Sequence, residues 1–241
     1  MHALWRKSQL VAVSALFGAL TLLFTVVLTV YIPETRGYFN LGEAGVYLTA
    51  IVLPPLWAAL AAGLGSALAD VILGYYVYAP ATLVIKAGEA FVASLLLRRL
   101  SRVKLGKVPG LAASLVIPLL MAVVGTTFYS GSTEVYLTPT GSTLTLNLSA
   151  FVWLAVALAF AAYLVWATLR EVGTPQTLLS LAAGGAVMVL GYFLYEQAVL
   201  GVVAVAEVPF NTMQVLVGIT VASLAERRLR AFRLLESIRA A

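Results

Sequence analysis

The chain of 241 residues is 62% apolar and 10% charged, against about 45–50% and about 25% in soluble globular proteins, so its polar side chains are too few to cover a water-facing surface. Fifteen Lys and Arg against ten Asp and Glu give a formal charge of +5, yet the cations are spread along the chain rather than gathered into one nucleic-acid-binding patch. Cysteine is absent and His2 is the only histidine, which excludes disulfides, thiol or imidazole catalysis, and thiolate or clustered-imidazole metal sites.

A spanning helix needs about 20 apolar residues to cross roughly 30 Å of hydrocarbon. The first stretch, Gln9–Tyr31, carries no charge between Lys7 and Glu34. It exceeds the roughly 7–15-residue apolar core of a cleaved leader, so it is expected to remain as a helix. On it Ala12, Ala15 and Ala19, with Ser14 and Gly18 adjoining, form a small-residue face suited to close helix approach, within the protein or against a partner. In the connection Gly37–Glu43, Asn40 and Glu43 stand at the spacing of a helix-capping pair. Next comes Ala44–Ala69, with Pro54-Pro55 at its middle. A Pro-Pro pair removes two backbone donors and breaks a helix, so this stretch is expected to enter and return as two short helices. Five more stretches follow: Pro80–Leu97, Leu111–Tyr129, Ser149–Leu169, Thr177–Leu200 and Pro209–Ala225.

Positive residues stay on the cytoplasmic side. With a break at Pro54-Pro55 the chain makes eight crossings, both termini are cytoplasmic, and the clusters Arg6–Lys7, Arg98–Lys107, Arg170 and Arg227–Arg239 all fall inside. Arg36 is then outside and Lys86 lies within a span. The loop Ser130–Asn147, without Lys or Arg, falls outside and reads as an irregular or hairpin-like connection. Residues 226–241 read as a basic tail along the cytoplasmic lipid surface.

Ionisable side chains inside a membrane are costly and mark function. Asp70, Lys86, Glu89 and Glu196 are of this kind; Lys86 and Glu89, three residues apart, share one helix face. Asp70 also reads as a plain helix-end carboxylate, and Tyr192 and Tyr195 also read as interfacial belt residues. Asn40, Tyr75, Tyr192, Glu196, Asn211 and Gln214 converge with this pair on the extracellular half, a distribution suited to capturing a small planar solute. Asn211 is expected to cap the last helix, with Gln214 one turn deeper. No G-x-x-x-x-G-K-[ST] phosphate loop is present, so the chain does not hydrolyse ATP by that route.

The runs Gly63–Asp70, Gly74-Tyr75 and Tyr78–Glu89, together with Gly37–Glu43, Gly191–Glu196 and Val208–Gln214, resemble the substrate-binding S component of energy-coupling factor (ECF) vitamin transporters. Within that family the chain is similar to the riboflavin and hydroxymethylpyrimidine-type branch. Ala15-x-x-x-Ala19 matches the motif by which the family's first helix docks its energising module. The resemblance implies an all-α polytopic membrane protein of the plasma membrane, one integral domain over 1–241. Its six-helix bundle comprises core helices over about 8–100 and 177–225. The sequence departs from the family's pattern by an inserted transmembrane hairpin over about 103–175, which completes the eight crossings. The resemblance further implies a non-enzymatic binding subunit without cofactor or metal. Its partners would be a membrane coupling subunit, two cytoplasmic ATPases and a vitamin-like solute. The solute-binding set is Asn40, Tyr75, Lys86, Glu89, Tyr192, Glu196, Asn211 and Gln214, and the docking set is Ala12, Ala15 and Ala19. Gln214 stands where riboflavin-binding members tend to carry a lysine, which points away from riboflavin. The rival reading is a stand-alone proton-coupled transporter using Asp70, Lys86, Glu89 and Glu196.

Overall fold

The computed structural model describes residues 7–32, 37–128, 130–136, 143–148, 150–200, 204 and 207–231. Arg6, Arg36 and the basic residues beyond Ala231 lie outside the described residues. The membrane body is all-α, with two short antiparallel hairpins at its connections. Its elements in chain order are α1 (Lys7–Val27), β1 (Thr29–Ile32), β2 (Gly37–Asn40), α2 (Gly42–Val52), α3 (Pro55–Leu73) and α4 (Ala79–Leu100). There follow α5 (Lys107–Phe128), β3 (Gly131–Tyr136), β4 (Thr143–Leu148), α6 (Ala150–Leu169), α7 (Pro175–Leu200) and α8 (Glu207–Ala231).

Seven of these helices are long and apolar enough to cross a membrane. The large apolar side chains left exposed on them, Leu16, Leu158 and Phe151 among them, face hydrocarbon. The first apolar stretch is not helical to its end. Its last residues, Thr29–Ile32, pair with Gly37–Asn40 in register Thr29↔Asn40, because the β-branched run favours extended backbone over helix. The connection between α5 and α6 is a second hairpin, Gly131↔Leu148 through Tyr136↔Thr143.

The break in the second apolar stretch falls where the prolines place it. Leu53 is extended (φ −89°, ψ 150°), as the residue before a proline must be, and Pro55 opens α3. The two arms are unequal rather than both short. The 11 residues of α2 span only about 16 Å at ~1.5 Å per residue, whereas the 19 of α3 reach about 28 Å. The turn is therefore buried in the body, with Leu53 fully enclosed. The carbonyls it frees are taken by α4: Ser94 Oγ donates to the Leu53 carbonyl at 2.7 Å and Arg98 Nη2 to that of Val52 at 3.2 Å. Irregular backbone at membrane depth survives only where protein satisfies it in this way.

Short α2 becomes the axis of the bundle. It is buried along nearly its whole length, wrapped by α1, α3, α4 and α8. Close approach is possible because Gly218 of α8 lies against Tyr47: a Cβ there would sit 3.0 Å from the Tyr47 ring. α7 packs along α4 and α8, while α5 and α6 pair with each other and lean on the outside of α7 and α8. The chain leaves for this hairpin and returns at one place, since Gln176 Nε2 donates to the Val103 carbonyl at 3.0 Å. Helices α1–α4, α7 and α8 thus form a six-helix body, and α5–α6 is an appended pair. At the opposite end α8 continues past Glu226, which is buried and accepts a hydrogen bond from Thr177 Oγ1 at 2.8 Å.

Candidate functional site

Where α2, α4, α7 and α8 meet beneath β2, the buried residues turn polar. Lys86 and Glu89 sit one turn apart on α4, with Nζ donating to Glu89 Oε2 at 3.2 Å. The shorter contact of Lys86 comes from α2: its ammonium donates to Glu43 Oε1. All three side chains are buried. Glu43 is therefore not the helix-capping partner of Asn40. It holds the lysine from across the bundle, while Asn40 Oδ1 accepts the Gly42 backbone N–H at 2.7 Å. The Tyr192 ring covers Lys86 with its centroid 5.5 Å from Nζ, a cation–π contact in a desolvated setting.

Above this floor lies a small, partly open cavity of about 40 Å³, enough for about two or three waters. Six of the eight expected binding residues line it: Asn40, Lys86, Tyr192, Glu196, Asn211 and Gln214. The other two stand behind. Glu89 is fully buried under Lys86, and Tyr75 stacks on Tyr38 with ring centroids 4.5 Å apart. Asn211 does not cap α8, which begins four residues earlier at Glu207. Its Oδ1 accepts from Gln214 Nε2 at 3.2 Å, and Gln214 Oε1 accepts the Asn40 backbone N–H at 3.3 Å. This chain of bonds fastens the end of β2 to α8.

The wall also holds residues beyond the expected binding set, and two of the residues read in two ways take their places. Asp70, read also as a plain helix-end carboxylate, lines the cavity. The chain turns sharply past it: Gly74 adopts φ +86° and the Tyr75 N–H closes on the Asp70 carbonyl at 2.7 Å, a glycine helix stop. Its carboxylate accepts the Tyr38 hydroxyl at 2.6 Å. Burial, then the charge of Asp70, pushes the Tyr38 phenol up from its ordinary range, so it stays a donor. Tyr192, read also as a belt residue, donates inward to Thr82 Oγ1 at 2.9 Å. Tyr195 instead donates to the Val77 carbonyl at the rim. Ser66 and Glu207 complete the wall. Among the described residues no cluster of His, Cys, Asp or Glu is arranged to hold a metal.

On the flank, α1 and α3 bound a wide apolar groove of about 460 Å³, to which Ala15, Gly18 and Ala19 contribute from α1 and Ala61, Leu64 and Gly65 from α3. Ala12 is exposed one turn beyond Ala15 and is not part of the groove wall. Gly65 and Gly18 bring the two helices into backbone contact, so Gly63-Leu64-Gly65 serves packing.

A family model described as "ECF-type riboflavin transporter, S component" matches residues 6–171. The chain belongs to that family. It is thus a multi-pass protein of the plasma membrane from a transporter family, one whose members partner with other ECF components. The match runs from α1 through α6; α7 and α8, which carry Tyr192, Glu196, Asn211 and Gln214, lie beyond it. An uncharacterised protein of Pyrococcus woesei is 44% identical over 68 residues, 28% of this chain and 45% of that protein. The aligned segment spans less than half the length of that relative. No solved structure matches the chain.

Proposed function

We propose that this chain is the solute-capturing subunit of an ATP-driven ECF importer, taking a small vitamin or vitamin precursor from outside the cell. The observation that supports it best is the buried Glu43–Lys86–Glu89 group on the floor of a tyrosine-lined cavity, a costly arrangement in a membrane unless it does work. Lys86, Tyr192, Glu196, Asn211 and Gln214 contact the solute, and Glu89 fixes Lys86 from beneath. Solute pockets occupy roughly 300–1,000 Å³, far more than this cavity of about 40 Å³, so making room for the solute requires β2 to lift. The Tyr38–Asp70 and Asn40–Gln214 bonds are the latches that part, and Tyr75 travels with Tyr38.

The α1 groove with Ala15 and Ala19 at its edge is the docking face for the coupling subunit, and two ATPases supply the energy. Exposed small residues in a lipid-facing helix favour close contact with another helix. The appended pair α5–α6 is an accessory to the six-helix body. Equilibrium binding of candidate vitamins to the purified chain tests the reading: the wild type should bind one, and Lys86→Ala should not. Proton-driven uptake by vesicles containing this chain alone would contradict it.

A further inference from the structure

The appended pair meets the six-helix body around a second cavity, of about 250 Å³ and partly open, on the face of α7 turned away from the polar site. Trp153, Val189 and Phe193 form its deep wall and are buried, while Leu120, Leu190 and Leu194 at its rim are each about half exposed. Apart from the indole of Trp153, no side chain lining it carries an N–H, an O–H or a charge. With the basic clusters inside, α5 and α7 both run outward, so residues 117–125 and 186–194 stand in the outer half of the membrane, and Trp153 lies in the first turn of α6.

An apolar cavity of about 150 Å³ stays free of water and takes up an apolar guest; this one is larger, and its rim faces hydrocarbon. Left empty, it would forfeit the dispersion contacts of the side chains around it. Two kinds of guest reach a lipid-facing crevice, a neighbouring helix or a lipid chain, and the lining decides between them. A helix needs small residues that admit its backbone, which the α1–α3 groove supplies with Ala15, Gly18, Ala19 and Gly65. Here the small residues are Gly125 and Ala186, and the Trp153 indole already covers Gly125. The large side chains hold a helix off and leave room for a thin, flexible chain. The outer loop Ser130–Asn147 contains no Lys or Arg, so no cation of that loop grips an anionic headgroup above the crevice. We infer that this crevice is a binding site for one hydrocarbon chain of an outer-leaflet lipid, held by its apolar contacts and not by its headgroup. The chain completes the packing of α5 and α6 against α7, joining the appended pair to the six-helix body. Nothing in this site depends on which solute the polar cavity takes.

The chain has four tryptophans; replacing Trp5, Trp57 and Trp166 by Phe leaves Trp153 as the reporter. The full-length protein is reconstituted in phosphatidylcholine vesicles whose acyl chains carry bromine, which quenches an indole only at close range, and in the same lipid without bromine. Emission from Trp153 should be largely lost in the brominated vesicles, although the indole is buried within protein. Ala186→Phe, which fills the crevice, should restore the emission toward that in plain lipid; Ala186→Leu fills it with a smaller side chain if the ring prevents folding. Brominated phosphatidylglycerol with the same chains should quench to the same extent. Full Trp153 emission in both brominated lipids would overturn the site. Quenching undiminished in a folded, filled variant would overturn it too, because bromine would then reach the indole from the surrounding bilayer rather than from the crevice. Quenching confined to phosphatidylglycerol would overturn the claim that the chain and not the headgroup is held.

Discussion

Helix α7 separates two regions of opposite chemistry. Toward α4 and α8 it presents Tyr192 and Glu196 to a cavity walled by ionisable groups. Toward α5 and α6 it presents Val189, Leu190 and Phe193 to an apolar cavity of about 250 Å³, where Phe193 meets Trp153 edge-on with centroids 6.1 Å apart. Between Lys107 and Arg170 the helices α5 and α6 contain no Asp, Glu, Lys or Arg. The six-helix body hides its charges at real cost, while the appended pair is built as lipid-soluble packing. Charge buried in a membrane marks candidate functional sites, and here it is carried by α2, α3, α4, α7 and α8.

Substitutions on the two sides should therefore behave differently. Lys86→Ala leaves Glu43 and Glu89 buried without their cation and should cost about 3–5 kcal/mol of stability, seen as a lowered unfolding temperature together with loss of solute binding. Normal stability and affinity would remove the polar floor from the account. Gly125→Leu drives a side chain into the Trp153 indole and should cost about 1–3 kcal/mol, yet leave solute affinity unchanged. A large affinity loss there would join the two regions that the structure separates. Tyr38→Phe removes the donor to Asp70, a bond to a charged group worth about 1.5–3 kcal/mol. Part of that is recovered as easier opening, so stopped-flow binding should show faster entry and faster release. Smallest in the isolated protein is Ala15→Trp, which faces lipid and should alter neither stability nor affinity beyond about 0.5 kcal/mol. Co-purification with a coupling subunit should nonetheless be lost, and a complex that still forms would refute the docking face.

The spans were legible because hydrocarbon imposes a length and excludes charge, and the break at Pro54-Pro55 because proline chemistry is local. Lys86 with Glu89 was legible for the same reason: both lie on one helix turn. Glu43 was hidden in plain view. Its spacing from Asn40 satisfied a local capping pattern, whereas its actual partner is 43 residues away on another helix. Asp70 looked like an ordinary helix end because the donor that gives it a place, Tyr38, comes from a strand 32 residues upstream. The partner of that strand, β1, was itself obscure, since Thr29–Ile32 continues the apolar run of α1 without interruption. Sequence periodicity reports which face of an element is apolar, not which distant element supplies the polar partner.

The most direct measurement is native mass spectrometry of the protein extracted gently from its own membranes, wild type beside Lys86→Ala. The account predicts one small organic solute bound to the wild type at a single copy and none bound to the variant. The same solute retained by both proteins would show that the buried lysine does not hold it and would contradict the central claim.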